Sequence, residues 1–429
     1  MKVLIVNTSA SGGGAAIAAL RLMDALRANG TDARMLVRDC AAPHEGVTAL
    51  PQSPVLRLKF VWERLVIWLH NRMSRRMLWY VDIANAGTDI TRHPAFLEAD
   101  VIHLHWVNQG FLSLDHLDRI FQSGKRIVWT LHDQWPYTGI CHHSVDCTRY
   151  QHHCHHCPQL CHPSAKDLSY NVFARKLSIM RQARITFVGC SRWIAGLAEK
   201  SALTQGHRVV SIPNAVPSVF SPMDKAEARR MHGLPEEGKY ILFGSCKVAD
   251  RRKGADYLIE ACRRAELQHV KVIIVGGHAE WMRDSFSQPV YIINYVHSPE
   301  RMAALYAAAD VYVTPSLQEN LPNTIAEAMS VGTPCVGFEV GGIPEMIDHR
   351  QNGYVARYKD VADLARGVAW VLDNDLRHAA RQKASASYNP DTVAQQYISL
   401  YRLEKKWKIK NLFLIGLLLP ILTELFIIS

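Results

Sequence analysis

Short apolar segments alternate with helical segments along almost the whole chain, and this alternation limits the possible folds more than any other feature. Strands of the first half are predicted at Lys2–Asn7, Ala33–Val37, Val101–His105, Arg126–Thr130 and Ile185–Cys190. Strands of the second half are predicted at Tyr240–Phe243, Lys271–Val275, Tyr291–Ile293, Val311–Thr314 and Cys335–Phe338. Such alternation is typical of parallel, doubly wound α/β sheets. With 429 residues, the chain is long enough for two or three domains, and the pattern predicts two.

A proline-rich segment, Ser211–Pro217, lies between the two halves and is predicted to be a linker. We therefore expect a first domain over residues 1–207 and a second domain over residues 208–388. Beyond them, Asp391–Lys408 carries apolar residues at helical spacing, and Leu412–Ile428 is almost entirely apolar. Two doubly wound domains joined by a linker suggest a cleft between them.

Two glutamates, Glu319 and Glu327, flank the turn between a predicted buried strand and the next predicted helix. Ligands of open α/β sheets bind at the carboxyl ends of strands, and the free amides of a helix start can hold phosphate. Glu327 also has a structural interpretation, because Thr324 to Glu327 fits a capping box. Glu319 has no such role, and the stiff Asn-Leu-Pro-Asn that follows it indicates a specific loop.

The region from Glu319 onward resembles the donor site of family 4 retaining glycosyltransferases, which have the GT-B fold. The resemblance is carried by Glu319 and Glu327 with seven residues between them and by the segment Ala328–Gly337. It continues through Gly341–Met346 and Asn352–Tyr354. A GT-B protein has two Rossmann-like domains facing across a cleft, and its last helix crosses back to the first domain. Residues 389–410 are expected to be that helix, followed by a hydrophobic tail over residues 411–429.

The same resemblance implies roles for the residues of this loop. Glu319 would bind the donor sugar and take part in catalysis, and Glu327 would bind the ribose hydroxyls. The backbone amides of Asn320 and Leu321 would lie near the sugar and the diphosphate. Catalysis in such enzymes needs no metal or other cofactor.

A glycine run, Ser11–Gly14, separates the first strand from the first helix. Glycines there let backbone amides approach an anion at a helix start. The GxGxxG spacing of dinucleotide-binding proteins is absent, which makes a dehydrogenase a poor fit. By resemblance, the loop around Gly13 would face the donor phosphates and the acceptor from across the cleft.

Three histidines follow or end predicted strands of the first domain. His132 comes directly after a strand and is expected at its carboxyl end, facing the cleft. The resemblance places it beside the sugar and the acceptor, in a catalytic role, and the alternative is a hydrogen-bonded structural histidine. His103 and His105 lie two residues apart and share one strand face, which makes them candidates for the acceptor side.

Basic residues cluster after the first strand of the second domain. Clustered cations at a strand end suit a diphosphate leaving group, whose charge must be neutralised. The resembled family has an arginine and a lysine six residues apart there, and Lys247 and Lys253 have this spacing. Lys247 lacks the bidentate fork of arginine, so its role rests on weaker grounds than that of Lys253. A solvated basic loop is the alternative.

The segment 141–162 is rich in cysteine and histidine. Cys154 and Cys157 form a CxxC pair, and Cys141 with Cys147 would complete a four-ligand structural zinc site. The alternative is a loop of reduced thiols. With Trp135–Gly139 before it, the segment resembles a family 4 subgroup that includes transferases of colanic-acid-type exopolysaccharide synthesis.

The net charge of +10 favours anionic partners, but no nucleic-acid-binding motif is present, so nucleic acid is not expected. Leu56–Tyr80 mixes tryptophans and aliphatic residues with arginines, as a basic amphipathic helix on an anionic membrane would, although a core helix fits equally. Without a recognisable signal peptide, the protein is expected at the cytoplasmic face of the inner membrane, held peripherally or by its tail.

Together these features predict a retaining glycosyltransferase. It would move a hexose from a nucleoside diphosphate sugar to a glycan acceptor, expected to be lipid-linked, in the synthesis of lipopolysaccharide or exopolysaccharide. Two alternatives stay open at this point. One is a GT-B epimerase or phosphorylase, and the other is a non-catalytic, metal-containing membrane scaffold on the same fold.

Overall fold

The computed structural model describes residues 1–403. They form two parallel β-sheets, the first built by the first half of the chain and the second by the second half. The first sheet contains β1 (Lys2–Ser9), β2 (Asp32–Asp39), β3 (Val47–Ala49), β4 (Val101–Leu104), β5 (Arg126–Leu131), β6 (Ile185–Gly189) and β7 (Arg208–Ser211). The second contains β8 (Lys239–Lys247), β9 (Val270–Gly277), β10 (Val290–Ile293), β11 (Val311–Thr314), β12 (Cys335–Phe338) and β13 (Gly353–Ala356). Helices cover both sheets, so the prediction of two doubly wound domains is confirmed.

Helices lie between most of the strands, as connections between parallel strands require. In the first domain they are α1 (Gly14–Ala28), α2 (Pro54–His70), α3 (Pro94–Glu98), α4 (Leu114–Gln122), α5 (Leu168–Arg181) and α6 (Arg192–Glu199). In the second they are α7 (Lys225–Met231), α8 (Ala255–Cys262), α9 (Pro299–Ala308), α10 (Asn323–Ser330), α11 (Ile343–Met346), α12 (Val361–Leu372) and α13 (Arg377–Tyr388). A further helix, α14, covers residues 390–403.

The order of the first sheet is β3-β2-β1-β4-β5-β6-β7, and every pairing is parallel. Its central strands are buried on both faces, which explains their continuous apolar runs. In the register of β4 with β5, Leu104 is paired with Trp129. The residues just beyond these two strands therefore come together at one edge of the sheet, and among them are His105 and His132.

The order of the second sheet is β10-β9-β8-β11-β12-β13, so β8 and β11 are neighbours. The loop after β8 packs directly on the loop after β11. At their contact lies Gly254, whose φ is 72° and where a Cβ atom would stand 1.8 Å from the carbonyl oxygen of Pro315. A side chain cannot be accommodated there, so glycine is required for the two strand ends to meet.

Helix α14 crosses back from the second domain and completes the core of the first. Its buried residues Val393, Tyr397, Leu400 and Tyr401 pack with residues of β1, β4 and α1. The Tyr401 hydroxyl is 2.7 Å from His103 Nδ1, and the Tyr397 hydroxyl is 3.1 Å from Thr130 Oγ1. The predicted crossing helix is thus confirmed up to residue 403. Residues 404–410 and the predicted hydrophobic tail, 411–429, lie outside the described residues.

Three short edge strands, β3, β7 and β13, were not among the predicted strands. Strands β3 and β7 are partly exposed and lack the continuous apolar run of a central strand, and β13 is a four-residue strand that begins at a glycine. Strand β7 pairs with β6, so Arg208–Ser211 belongs to the first sheet and the predicted boundary at residue 207 falls before its last strand. The linker begins only after Ser211.

The predicted amphipathic segment 56–80 is helical only in its first part, because α2 ends at His70. Arg72 and Met73 both have positive φ angles, 49° and 61°, which a right-handed helix does not allow. Among residues 1–403, no helix combines the length and the apolar character that a membrane crossing requires.

The contact between α14 and β4 gives a first prediction. Replacing Tyr401 with Phe removes the hydroxyl from buried His103 Nδ1 and leaves a polar ring atom without its partner. We expect the variant to unfold in urea with a free energy lower by about 1–3 kcal/mol. Ser399→Ala, at an exposed position of the same helix, is the control and should unfold like the wild type. Equal stability of all three proteins would contradict the assignment of α14 to the core of the first domain.

Candidate active site

An ion pair between Lys253 and Glu319 occupies the meeting point of the two strand-end loops of the second domain. The Lys253 Nζ is 2.6 Å from Glu319 Oε2, and the side chain of Glu319 is 17% exposed. Burial lowers the pKa of Lys253, but the neighbouring Glu319 carboxylate outweighs burial and holds this pKa above its ordinary value. The pair is therefore a fixed, charged element at the carboxyl edge of the sheet.

A glycine turn wraps around the backbone beside Glu319. Gly341 has a φ of 60°, and a Cβ atom there would lie 1.8 Å from the Glu319 carbonyl oxygen. The next amide, of Gly342, donates a 2.7 Å hydrogen bond to the Asn320 carbonyl oxygen. The glycines in this part of the sequence thus hold the Glu319 loop by close backbone contact.

The side chain of Asn320 joins the loop to the first domain. Its Oδ1 accepts a hydrogen bond of 2.7 Å from Ser191 Oγ. Its Nδ2 donates to the carbonyl oxygens of Leu131, at 3.2 Å, and His132, at 3.1 Å. This side chain is therefore occupied by the opposite domain, and the predicted role of its backbone amide is not affected. Leu321 packs on an apolar cluster of the second domain.

His132 lies at the carboxyl edge of the first sheet, next to the loop that carries Glu319. His132 Nε2 is 2.8 Å from His105 Nδ1, and His132 Nδ1 is 3.5 Å from Cys190 Sγ. Burial lowers the pKa of His132 to about 4, so its ring is neutral at pH 7. A neutral imidazole in this place can donate or accept a hydrogen bond without adding charge to the cleft.

His103 and His105 do share one face, with ring centroids 4.4 Å apart. His103 is fully buried, and both of its ring nitrogens are in use, by Thr130 and Tyr401. Burial also lowers the pKa of His103 to about 3. His103 therefore lies in the interior beneath α14 and cannot contact an acceptor. The prediction of His103 as an acceptor-side residue is wrong. His105 is 3% exposed and its Nδ1 contacts His132, so it helps to hold the His132 ring in place.

The carboxylate of Glu327 does not form the capping box that was the alternative interpretation. Helix α10 has Pro322 as its N-cap, and no side chain caps it. Instead, Glu327 Oε2 accepts a 2.9 Å hydrogen bond from the Tyr306 hydroxyl. Its Oε1 is 2.7 Å from Nη1 of Arg21, a residue of α1 in the first domain. The Arg21 contact could not be predicted, because Arg21 is one of many arginines on a helix surface.

The glycine loop of the first domain faces the start of α10. Gly13 has a φ of 95°, and a Cβ atom placed on it would meet nothing within 4 Å. The Gly14 carbonyl oxygen accepts a 3.2 Å hydrogen bond from Asn323 Nδ2. The loop is therefore open on one side and joined to the second domain on the other.

The basic cluster after β8 separates into distinct positions. Lys247 is exposed at the end of β8, whereas Lys253 contacts Glu319. Arg252 was not singled out from the sequence, where three basic residues follow one another. It binds Asp250 with both Nε and Nη2, and its guanidinium carbon lies 5.5 Å from the centroid of the Tyr80 ring of the first domain.

A cavity of about 930 Å³ lies between the domains. It is bordered by Arg21 and Glu327, by Gly244 and Ser245 of β8, and by residues 295–299. The Lys253–Glu319 pair is not part of its lining, so the cavity occupies the side of the cleft nearer α1. Its volume is in the range of cavities that bind cofactors and other small molecules. Residues of both domains thus line this space, and Glu327 is one of them.

Comparison with protein families gives a match in the second domain. Residues 238–374 match the family described as "Glycosyl transferases group 1". An uncharacterized glycosyltransferase of Methanocaldococcus jannaschii is 29% identical over 193 residues, which are 42% of this chain and 49% of that relative. A D-inositol 3-phosphate glycosyltransferase of Mycolicibacterium smegmatis is 30% identical over 185 residues, 40% of each chain. The chain spans less than half the length of these two relatives.

Solved structures resemble nearly the whole chain. Sucrose-phosphate synthase of Thermosynechococcus elongatus is similar in structure, with a TM-score of 0.67 at 19% identity. The similarity covers 95% of this chain and 100% of the synthase chain. HepE of Anabaena, in complex with UDP and glucose, has a TM-score of 0.60 at 17% identity, covering 93% and 99%. WaaG, described as a glycosyltransferase involved in lipopolysaccharide biosynthesis, has a TM-score of 0.55 at 15% identity, covering 91% and 98%. The predicted GT-B fold is confirmed.

The cysteine-rich segment 141–162 packs beside the site as an irregular loop. Cys141, Cys147, Cys154 and Cys157 line one cavity of about 20 Å³, and Cys161 does not. All five are free thiols. Within residues 1–403, no three His, Cys, Asp or Glu side chains are arranged as a ready metal-binding group. The four thiols therefore surround a common space without converging on it, and the structural zinc stays a prediction.

A buried lysine accompanies these thiols. The Nζ atom of Lys176 is fully enclosed and donates to the carbonyl oxygens of Trp135, at 2.6 Å, and Thr138, at 3.0 Å. Burial lowers the pKa of Lys176 to about 7, and the neighbouring Cys141 and Cys154 act in the opposite direction, so thiolates there would favour its charged form. Four thiolates around a zinc ion carry a net negative charge, and a buried cation nearby would offset it.

Elemental analysis tests the predicted zinc site. We expect protein purified under reducing conditions to contain about one zinc per chain, the occupancy of a single four-thiolate site. Cys154→Ser should lose the metal, whereas Cys161→Ser, in the same loop but away from the cavity, should keep it. Wild-type protein without zinc would show that the loop consists of reduced thiols.

Proposed function

We propose that this protein is a retaining glycosyltransferase that transfers a hexose from a nucleoside diphosphate sugar to a glycan acceptor. The observation that carries the proposal is the Lys253–Glu319 pair, 2.6 Å apart where two strand-end loops meet. A cation and a carboxylate in contact at this edge match the two needs of a nucleotide sugar. The cation neutralises the diphosphate, and the carboxylate accepts hydrogen bonds from sugar hydroxyls.

In this proposal the donor lies along the second domain. Its nucleoside occupies the cavity of about 930 Å³, where Glu327 accepts hydrogen bonds from the ribose hydroxyls. Its diphosphate passes the open Gly13 loop and approaches Lys253, with exposed Lys247 free to move towards it. Its sugar rests on Glu319 and on the amides of Asn320 and Leu321. The complex of HepE with UDP and glucose supports a nucleotide sugar as the ligand.

Transfer would proceed on the face of the sugar that the diphosphate leaves. The bond between the anomeric carbon and the diphosphate oxygen breaks, and the acceptor hydroxyl oxygen bonds to the same carbon from the same side. The acceptor proton passes to the departing phosphate oxygen, so that configuration is retained without a covalent enzyme intermediate. Lys253 stabilises the leaving charge. His132, neutral at pH 7, exchanges its longer contact with Cys190 Sγ for a hydrogen bond with a hydroxyl of the sugar or the acceptor.

The acceptor is proposed to be a lipid-linked glycan of lipopolysaccharide or exopolysaccharide synthesis. The similarity to WaaG supports this class of acceptor. Helix α2 supports a membrane surface as the place of reaction, because its outer face exposes large apolar side chains. These are Val55, Leu58, Val61, Trp62, Leu65 and Leu69, between 38% and 63% exposed. Arg57 is also exposed on this helix and suits anionic lipid headgroups.

A screen of nucleotides tests the donor proposal. UDP-, GDP- and ADP-sugars are added to the protein, and thermal unfolding is followed. A ligand at 100 times its dissociation constant stabilises a protein by about 2.7 kcal/mol, which raises the unfolding temperature measurably. Stabilisation by one of the three is the expected outcome. If none of them changes the unfolding temperature, the proposed function is wrong.

The role of Glu319 is tested by a substitution that keeps its shape. Glu319→Gln should lower the rate of sugar transfer by about 100-fold or more, because an oriented negative group at the sugar is lost. Glu339→Gln is the matched control, since Glu339 is an exposed carboxylate beyond β12 of the same sheet. Circular dichroism of both variants should equal that of the wild type. Transfer by Glu319→Gln at the wild-type rate would remove Glu319 from the mechanism.

Vesicle binding tests the surface of α2. We expect the protein to sediment with vesicles that contain anionic phospholipid, and the Leu58→Ser/Trp62→Ser variant to bind several-fold less, because burial of these side chains in the bilayer interface drives binding. Leu97→Ser, at a 62% exposed position on α3, is the control. Equal binding of all three proteins would exclude α2 as the contact surface.

A further inference from the structure

The carboxylate of Glu327 is held from both domains at once. From the second domain, the fully buried Tyr306 donates its hydroxyl to Oε2 at 2.9 Å. From the first domain, Arg21 places Nη1 2.7 Å from Oε1. The side chains of Arg21 and Glu327 are only 13% and 9% exposed, so water screens this ion pair weakly. The carboxylate is thus fixed in orientation before any ligand arrives.

The two contacts leave part of the carboxylate available. An ionised carboxylate offers about four acceptor positions on its two oxygens. Tyr306 occupies one position on Oε2, whereas Arg21 Nη1 pairs with Oε1 by charge without being aligned for a hydrogen bond, so each oxygen keeps at least one position. Because Glu327 lines the cavity between the domains, the remaining positions can accept hydrogen bonds from a ligand inside it. Two neighbouring hydroxyls of a ribose present two donors at a matching spacing.

The guanidinium of Arg21 is itself supported. Its central carbon lies 5.2 Å from the centroid of the Phe220 ring, on which the planar group rests. Arg21 belongs to α1, which starts at the glycine loop, whereas Phe220 and Glu327 belong to the second domain. The arginine therefore enters a site built by the other domain, and it leaves that site if the domains separate.

We infer that Arg21 is a positioning residue for the nucleoside, which holds the Glu327 carboxylate oriented so that its free acceptor positions face the ribose hydroxyls. This inference rests on the proposed function, since it assumes that a nucleoside occupies the cavity. Because Arg21 and Glu327 come from different domains, ribose binding and closure of the cleft favour each other. The site around Glu327 is complete only when the two domains are closed on each other, so a nucleotide bound there favours the closed state.

A purely structural role of Arg21 makes a different prediction from a positioning role. Removing one member of a buried ion pair destabilises the protein whatever the ligand. Such a loss would weaken every nucleotide equally. A positioning role acts through the ribose hydroxyls, so a nucleotide that lacks them should be insensitive to Arg21.

Calorimetric titration separates the two roles. UDP, GDP and ADP, each with its analogue that lacks both ribose hydroxyls, are titrated into the wild type, Arg21→Gln, Arg21→Lys and Arg192→Ala. Arg192 is the matched control, because it also reaches a carboxylate of the other domain, Glu345, but lies away from the cavity. Unfolding temperatures of the unliganded proteins are measured in parallel.

We expect Arg21→Gln to bind the preferred nucleotide about tenfold more weakly or worse, because Glu327 loses the charged partner that orients it. Its affinity for the analogue should stay within about twofold of the wild type. Arg21→Lys should recover part of the loss, and Arg192→Ala should match the wild type. Unchanged or tighter nucleotide binding by Arg21→Gln, or an equal loss for nucleotide and analogue, would overturn the inference. If none of the three nucleotides binds the wild type, the proposed function itself fails.

Discussion

The close contact of two loops at the ends of β8 and β11 is the constraint on which the candidate site depends. These strands are neighbours in a parallel sheet, so the chains that leave them emerge side by side. Gly254 removes the one side chain that would keep them apart, and Lys253 then meets Glu319. The charges that define the site are therefore set by backbone packing. A change at Gly254 would act on both ions although glycine has no chemistry of its own.

The two domains meet through polar contacts more than through a shared apolar core. Asn320 reaches Ser191 and the carbonyl oxygens of Leu131 and His132. Glu345 caps the start of α6, accepting hydrogen bonds from the amides of Arg192 and Trp193 at 2.8 Å and 2.6 Å. Individual hydrogen bonds contribute only about 0.5–1.5 kcal/mol net, because water replaces them when they open. Contacts of this kind hold the cleft in a defined arrangement and still allow the domains to part.

Much of the fold could be predicted from the sequence, because each buried parallel strand is a continuous apolar run and helical segments separate one run from the next. The short edge strands β3, β7 and β13 carry no such signal. Within the site, Glu319 and Lys253 could be identified because each follows a predicted strand and has a recognisable spacing. Their mutual contact, however, depends on how the strands are ordered in the sheet, which composition and spacing do not determine.

The residues that were misjudged or missed share one property, which is dependence on the other domain or on distant chain segments. The sequence suggests that His103 is accessible near the end of a strand, but in the structure α14 covers it. For Glu327 only the alternative interpretation as a capping residue was wrong, because Tyr306 and Arg21 of α1 contact its carboxylate instead. The sequence does not distinguish Arg252 from its basic neighbours, whereas in the structure its guanidinium group lies over the Tyr80 ring of the first domain. Local sequence patterns describe a residue's own element well, and they do not describe a partner that lies far away along the chain.

The crossing helix also determines which parts of the chain can be exchanged. One face of the first sheet is buried by Val393, Tyr397 and Tyr401, which come from the far end of the described chain. A fragment cut at the linker would therefore carry the first domain with an uncovered apolar face, and the second domain with an orphaned helix. Recombination between related enzymes would have to move residues 1–211 together with α14. In this respect the first domain is a discontinuous unit, and the second domain is an insertion within it.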